Sequence, residues 1–240
     1  MRVCVAGLLL LAACEARVGG NPGETNPDGN DQPDSIEPDG PPACIKRPLF
    51  LSFEGETLTD GPASDATANI ASWMDGVASA TTPPYLNGVA DRAARIQTII
   101  DAVTTRLQPF TTVTTTRPPS GDYMMVVFGG TQALVGSNFG FVQELDCGDQ
   151  VRNDVAWVDD GFPAALIPNA VVGSIGFGIG LTATTDPTDC MCSWDNNCSQ
   201  NTPNCVLHNG IARDPNANQR CNGVPDVQDE IIEFNLAFCN

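Results

Sequence analysis

Hydrophobic and polar positions divide the chain into an apolar start, a long polar stretch, a patterned body and a cysteine-rich end. In the body, "RPLFLSFEG" (47–55) alternates apolar and polar residues before a glycine, which predicts a strand. Residues 88–107, "GVADRAARIQTIIDAVTTRL", place Val89, Ala93, Ile96, Ile100, Val103 and Leu107 at helical spacing. Asp91, Arg95, Asp101 and Arg106 lie off that stripe, so the segment predicts an amphipathic helix closed by Pro109. "FTTVTTT" (110–116) is β-branched and predicts a strand. "DYMMVVFGG" (122–130) is a nearly continuous apolar run, the pattern of a strand covered on both faces. "DVAWVDD" (154–160) predicts another short strand, 163–181 a buried helix, and "PDVQDEIIEFNLAF" (225–238) a final helix with Pro225 near its start. This order is an α/β layout around a mixed sheet.

The buried-helix pattern contains an anomaly. Residues 171–181, "VVGSIGFGIGL", hold four glycines, one serine and no charge. Each glycine costs a helix about 1 kcal/mol relative to alanine. The run 162–181 is uncharged and carries Gly176 and Gly180 as a small-xxx-small pair, which raises a membrane span as a rival reading. Pro168-Asn169 interrupts it, and a span would put Cys147 and the cysteine-rich tail on opposite sides of the membrane. A phosphate-binding glycine loop is a weaker rival, because no Lys-Ser/Thr follows. A plain core helix with small residues for close packing is the bland alternative.

The first residues change the compartment. Met1-Arg2 and the apolar run Val3–Ala13 form a signal peptide too short to span a bilayer. It ends "LAAC", and small residues directly before Cys14 resemble the bacterial lipobox, in which that thiol is lipidated and the chain cut just before it. The rival is an ordinary secretory signal with a chance cysteine. Residues 15–43 are rich in Pro, Gly, Asn and Asp and nearly devoid of apolar residues, so they cannot bury enough surface to order themselves. The expected organisation is a lipoprotein signal peptide (1–13), a lipid-anchored acidic linker (14–43) and one globular domain (44–240).

With Cys4 lost and Cys14 lipidated, eight cysteines remain: Cys44, Cys147, Cys190, Cys192, Cys198, Cys205, Cys221 and Cys239. An even number in an exported chain predicts a disulfide framework, with Cys44 and Cys239 each stapling a terminus. A zinc cluster built on Cys190, Cys192 and Cys198 is the rival. The formal net charge of −18, from 11 basic and 29 acidic residues, excludes nucleic acid as a partner. The single histidine, His208, excludes any site needing two or three imidazoles.

"LFLSFEGETLTDG", "LDCGD" and "DCMCSW", with the order strand, long helix, strands, buried helix ending in Gly-Leu and then a turn with methionine, resemble the metzincin metalloproteases. More narrowly they look like a metzincin-type group found among exported myxobacterial proteins. The resemblance covers most of 47–240. It implies a mixed, mostly parallel twisted sheet with two main helices, then a disulfide-rich tail with a final helix. Metzincins carry H-E-x-x-H-x-x-G-x-x-H at the end of the buried helix. Histidines at i and i+4 share a helix face and bind zinc, the adjacent Glu acts as general base, and the glycine turns the chain toward a third histidine. Placing Gly180 on the motif's glycine puts Gly173, Phe177 and Ala183 at the histidines and Ser174 at the glutamate. Met191 falls at the methionine turn. Gly, Phe and Ala offer zinc no ligand.

Other candidates are weaker. His208 in a polar, cysteine-rich loop reads as a surface residue, and none of Ser52, Ser64, Ser72, Ser120, Ser137 and Ser174 sits in a nucleophile motif. Asp159-Asp160 and Asp195-Asn196-Asn197 offer calcium oxygens but lack EF-hand spacing, and Glu54 and Glu56 read as solvated loop charges. The expectation is an exported lipoprotein with a catalytically inactive metalloprotease-like domain, binding or scaffolding at the cell envelope without cofactor or metal. Its expected partners are the membrane, reached through lipid on Cys14 and placed at the outer membrane, and an envelope or protein partner. The alternatives are a hydrolase with an unrecognised site and a structural envelope lipoprotein of unrelated α/β fold.

Overall fold

The computed structural model describes residues 44–192 and 204–239. Cys14 and Cys198, and the run Asp195–Asn197, lie outside the described residues.

The chain forms a mixed α/β fold. Its principal sheet has five strands: β1 (Leu49–Ser52), β5 (Val113–Thr114), β6 (Met124–Phe128), β7 (Phe141–Val142) and β8 (Val155–Val158). Their spatial order is β5-β1-β6-β8-β7. β1 pairs in parallel with β5 and β6, and β6 with β8, with Leu51 opposite Val126 and Val126 opposite Ala156. Only the edge strand β7 runs antiparallel, with Phe141 opposite Val158. The long helix α1 (Arg92–Leu107) carries the chain from β1 to its parallel neighbour β5, a connection that parallel pairing requires.

Every residue of β1, β6 and β8 is buried, because both faces of the sheet are covered. Leu49, Leu51, Met124, Val126, Phe128, Ala156 and Val158 face one core with Ile99, Val103 and Leu107 of α1 and Val171, Val172 and Ile175 of α3 (Ile167–Gly178). Phe50, Met125, Val127, Val155 and Trp157 face a second core, under a small sheet of β2 (Thr57–Asp60), β3 (Ile70–Ala71) and β4 (Ser79–Thr81). The alternation read in 47–55 is therefore a division between two cores and not between core and solvent. A short helix α2 (Gln132–Val135) follows β6. The tail pairs β9 (Ile211–Ala212) with β10 (Val227–Gln228) and ends in α4 (Glu230–Phe238).

Several boundaries move. The first helix starts at Arg92, and its buried stripe is Ile99, Val103 and Leu107 with Ile96 and Ile100 half-buried; Val89 and Ala93 are exposed. Residues 110–116 contribute only two paired residues. The last helix starts at Glu230, not near Pro225, because Val227 and Gln228 are taken by the strand pair with β9. Three disulfides are described: Cys44–Cys239, Cys147–Cys221 and Cys190–Cys205. Cys192 is disulfide-bonded as well. Cys44 and Cys239 staple the two ends of the domain to each other, beside the backbone bridge Lys46–Cys239.

Candidate functional site

A 3-10 turn at Ala164–Leu166 leads into α3, whose first turn holds Pro168, where an absent N–H costs nothing. Eleven of its twelve residues are buried, so the helix is surrounded and not amphipathic. Its glycines are close approaches. A Cβ on Gly176 would collide with Met191 Sδ, and one on Gly178 would lie 2.7 Å from Met124 Cε and 2.8 Å from Asp154 Oδ2. At twelve residues the helix rises about 18 Å, well short of an apolar bilayer core of about 30 Å. No helix among the described residues is long and apolar enough to cross a membrane.

The chain leaves α3 through Gly180, at φ +90°, a conformation that a side chain resists. Its backbone packs against the loop at Asp146–Gly148, where an added Cβ would be 2.9 Å from Asp146 O. Phe177 O accepts the N–H of Gly180 and of Asp146, both at 3.0 Å. Ala183 follows, buried, with Asp214 N–H donating to its carbonyl at 2.8 Å. Met191 is buried beneath Gly176, and Thr184 N–H donates to Met191 O at 3.0 Å.

Of the six motif positions, the structure brings Phe177 and Ala183 onto one cleft. Its cavity is about 420 Å³, and its other walls are Asn138–Gln143 with edge strand β7, Phe162, and Ala217–Gln219. Phe141 and Phe162 meet edge-on at 5.4 Å. Gly173 sits instead against Cys190 O, 3.1 Å from where its Cβ would be. Ser174 is wholly buried and its hydroxyl has no partner. The cleft wall is mostly apolar, with the amides of Asn138, Gln143, Asn218 and Gln219 on it, and Gly173, Phe177 and Ala183 offer a metal no donor. Zinc does not fit these residues.

Among the described residues one carboxylate group has metal-like spacing: Asp146, Asp149 and Asp154. Asp149 already has its cations. Arg47 Nη1 donates to Asp149 Oδ1 at 3.0 Å and Arg152 Nη1 binds Oδ2. Burial, with Asp146 adding to it, pushes Asp154 up to about 8. Sequence reading missed this cluster, although "LDCGDQVRND" packs three acids and an arginine into nine residues.

The remaining candidates resolve into structural roles. Asp160 accepts Leu86 N–H and Gly130 N–H, and Asp159 accepts the N–H of Gly161, so both shape turns. Glu54 pairs with Arg92 in solvent. Glu56 is not a solvated loop charge. It accepts from Ser52 Oγ at 2.7 Å, pairs with Arg117 at 2.9 Å and is mostly covered. His208 is half-buried, not a surface residue, and its Nε2 is covered and without a partner. The edge strand β7, which makes the cleft, was missed because "GFVQEL" mixes two paired residues with irregular chain.

No protein-family model matches the chain, and no curated protein matches it.

Proposed function

We propose that the chain is an exported lipoprotein, anchored through Cys14, whose domain is a metzincin-like fold without zinc ligands or general base. It acts by binding an extended segment of an envelope or other protein in the cleft between β7 and α3. The observation that carries this reading is the convergence of Phe177 and Ala183 on one largely apolar cleft beside a sheet edge that no further strand pairs among the described residues. Further support comes from the strand–helix–strand order, the antiparallel edge strand, the left-handed Gly180 after α3 and Met191 packed beneath the helix. A free strand edge offers backbone hydrogen bonds to an extended peptide, and the aromatic wall of Phe141, Phe162 and Phe177 offers an apolar anchor. The disulfides fit an oxidising compartment.

Screening the full chain against an immobilised peptide library, with and without chelator, tests the proposal. Binding insensitive to chelator, lost on filling the cleft with Ala183→Trp, is expected, with less than one-tenth equivalent of zinc bound. Chelator-sensitive cleavage, or binding indifferent to Ala183→Trp, overturns it. Cys14→Ala is expected to release the protein from membranes, and retention after a carbonate wash contradicts the anchor.

A further inference from the structure

Beneath α3 three stretches of the tail meet: 182–192, 205–214 and the β10–α4 corner. Two carboxyl groups, Asp189 and Glu230, lie in that junction, both fully buried. Glu230 Oε1 accepts Gln228 Nε2 at 2.7 Å, and Oε2 accepts His208 N–H at 2.9 Å. Asp189 Oδ1 accepts Met191 N–H at 2.5 Å. Asp189 Oδ2 is covered and has no donor among the described residues, and the neighbouring Glu230 carboxyl is placed to hydrogen-bond it. Two carboxylates cannot make that bond, because an ionised carboxylate only accepts. No ion pair among the described residues involves either group.

We propose that Asp189 and Glu230 share a proton, and that this proton is a pH-sensitive clasp holding the methionine turn and the disulfide-rich tail against the underside of α3. The charged and titratable groups around the pair come from each element that packs on it. Asp186 precedes it on its own loop, His208 faces it from the 205–214 stretch, and Arg213, just after β9, faces Glu230 with Glu233 one turn along α4. Arg213 makes its hydrogen bonds to neutral acceptors, Nη1 to Thr182 Oγ1 at 3.1 Å and Nε to Val227 O. Its charge attracts Glu230 without forming an ion pair with it. Removing the proton puts two like charges in contact in a dry site, and the bond between the tail segments is lost.

The direction of the pH effect follows. Burial first, then the neighbouring carboxylate, pushes Glu230 up to about 8; burial pushes Asp189 up to about 6. Both values lie above the ordinary carboxylate range near 4 that the unfolded chain shows. The folded state therefore holds protons that the unfolded state has released. The stability they represent is complete below about pH 4, falls as pH rises through 6 and 8, and levels off above 8. Each such proton changes the unfolding constant by about tenfold per pH unit inside that window.

The test is equilibrium unfolding of the full chain from pH 5 to pH 9.5, with Asp154 as the internal competitor because it titrates in the same range. Glu230→Gln cannot titrate: its NH2 can donate to Asp189, while its single oxygen keeps the bond from Gln228 or the one from His208 N–H but not both. It is expected to reduce the pH dependence of the unfolding constant between 6 and 8 by about tenfold per unit. Asp154→Asn is expected to remove a separate, additive share. An unchanged slope in Glu230→Gln overturns the proposal. Should that variant not fold, carbon NMR of ¹³C-labelled Glu side chains in the parent decides. A Glu230 carboxyl titrating near pH 8 supports the clasp, and one titrating near pH 4 refutes it.

Discussion

Helices α1 and α3 lie on the same face of the same sheet, yet they are built on opposite rules. α1 is amphipathic: Ile99, Val103 and Leu107 enter the core while Asp91, Arg95, Gln97 and Asp101 stay in solvent. Side-chain pairs one turn apart lace its outer face, Arg95 to Asp91 and Gln97 to Asp101. α3 has no outer face. It is enclosed by the sheet, α1, the Asp146–Gly148 loop and the turn at Met191, and it fits because glycines let those neighbours approach. A helix that contributes a stripe of side chains depends on their volume. A helix that contributes its own backbone surface depends on having almost no side chains where it is touched.

The largest expected effect separates the two by volume. Leu107→Ala removes a fully buried side chain at the end of the α1 stripe and should cost about 2–5 kcal/mol in denaturant unfolding. An unfolding midpoint within error of the parent would mean that the stripe does not carry the packing.

Next in size is a reversal of helix propensity. In α1 the exposed Ala94→Gly should lose about 1 kcal/mol, as propensity dictates. In α3 the opposite change, Gly176→Ala, should also destabilise. Overpacking against buried Met191 costs roughly 1–3 kcal/mol, against a propensity gain of about 1 kcal/mol. The loss should shrink when Met191→Ala is added, a non-additivity expected only of residues in contact. A Gly176→Ala variant more stable than the parent would remove the close approach from the account.

Smaller still is an effect of favourable sign. The Ser174 hydroxyl is buried without a partner in the middle of α3. Ser174→Ala should therefore stabilise the domain by on the order of 1 kcal/mol. Thr98, whose hydroxyl donates to Ala94 O on the exposed side of α1, should show a change near zero when made Ala.

The same contrast explains what the sequence disclosed. Period and charge made α1 legible, apart from an offset of its stripe by one position in the first turns, because solvent marks one side. The continuous apolar runs of β6 and β8 disclosed a sheet covered on both faces. The lack of charge in 163–181 disclosed that α3 is buried but not what touches it, since glycine carries no sign of its neighbour. β7 and the β2–β4 sheet were missed because strands of two to four residues leave little periodicity. At the site, the resemblance singled out Gly180 and Met191, which lie at the end of α3 and beneath Gly176. The cleft could not, because Phe141, Phe162, Phe177 and Ala183 come together only through the sheet order. The Asp189–Glu230 pair, 41 residues apart, was invisible for the same reason.

We propose that α3 and the chain after it occupy the arrangement of a zinc helix whose ligands are gone. The most direct measurement is the unfolding midpoint of a variant carrying Gly173→His, Ser174→Glu, Phe177→His and Ala183→His, taken in chelator and again with one equivalent of zinc. Without metal, the new polar groups in a buried site should cost roughly 1–3 kcal/mol each, and Gly173→His must also displace the Cys190 carbonyl slightly. Positions 177 and 183 share one cleft, so once the imidazole at 173 passes the Cys190 carbonyl to join them, zinc coordination offsets that cost. The account predicts a midpoint below the parent in chelator, restored by stoichiometric zinc, while the parent responds to neither. A variant whose midpoint is the same with and without zinc would show that positions 173, 177 and 183 do not converge, and would contradict the claim.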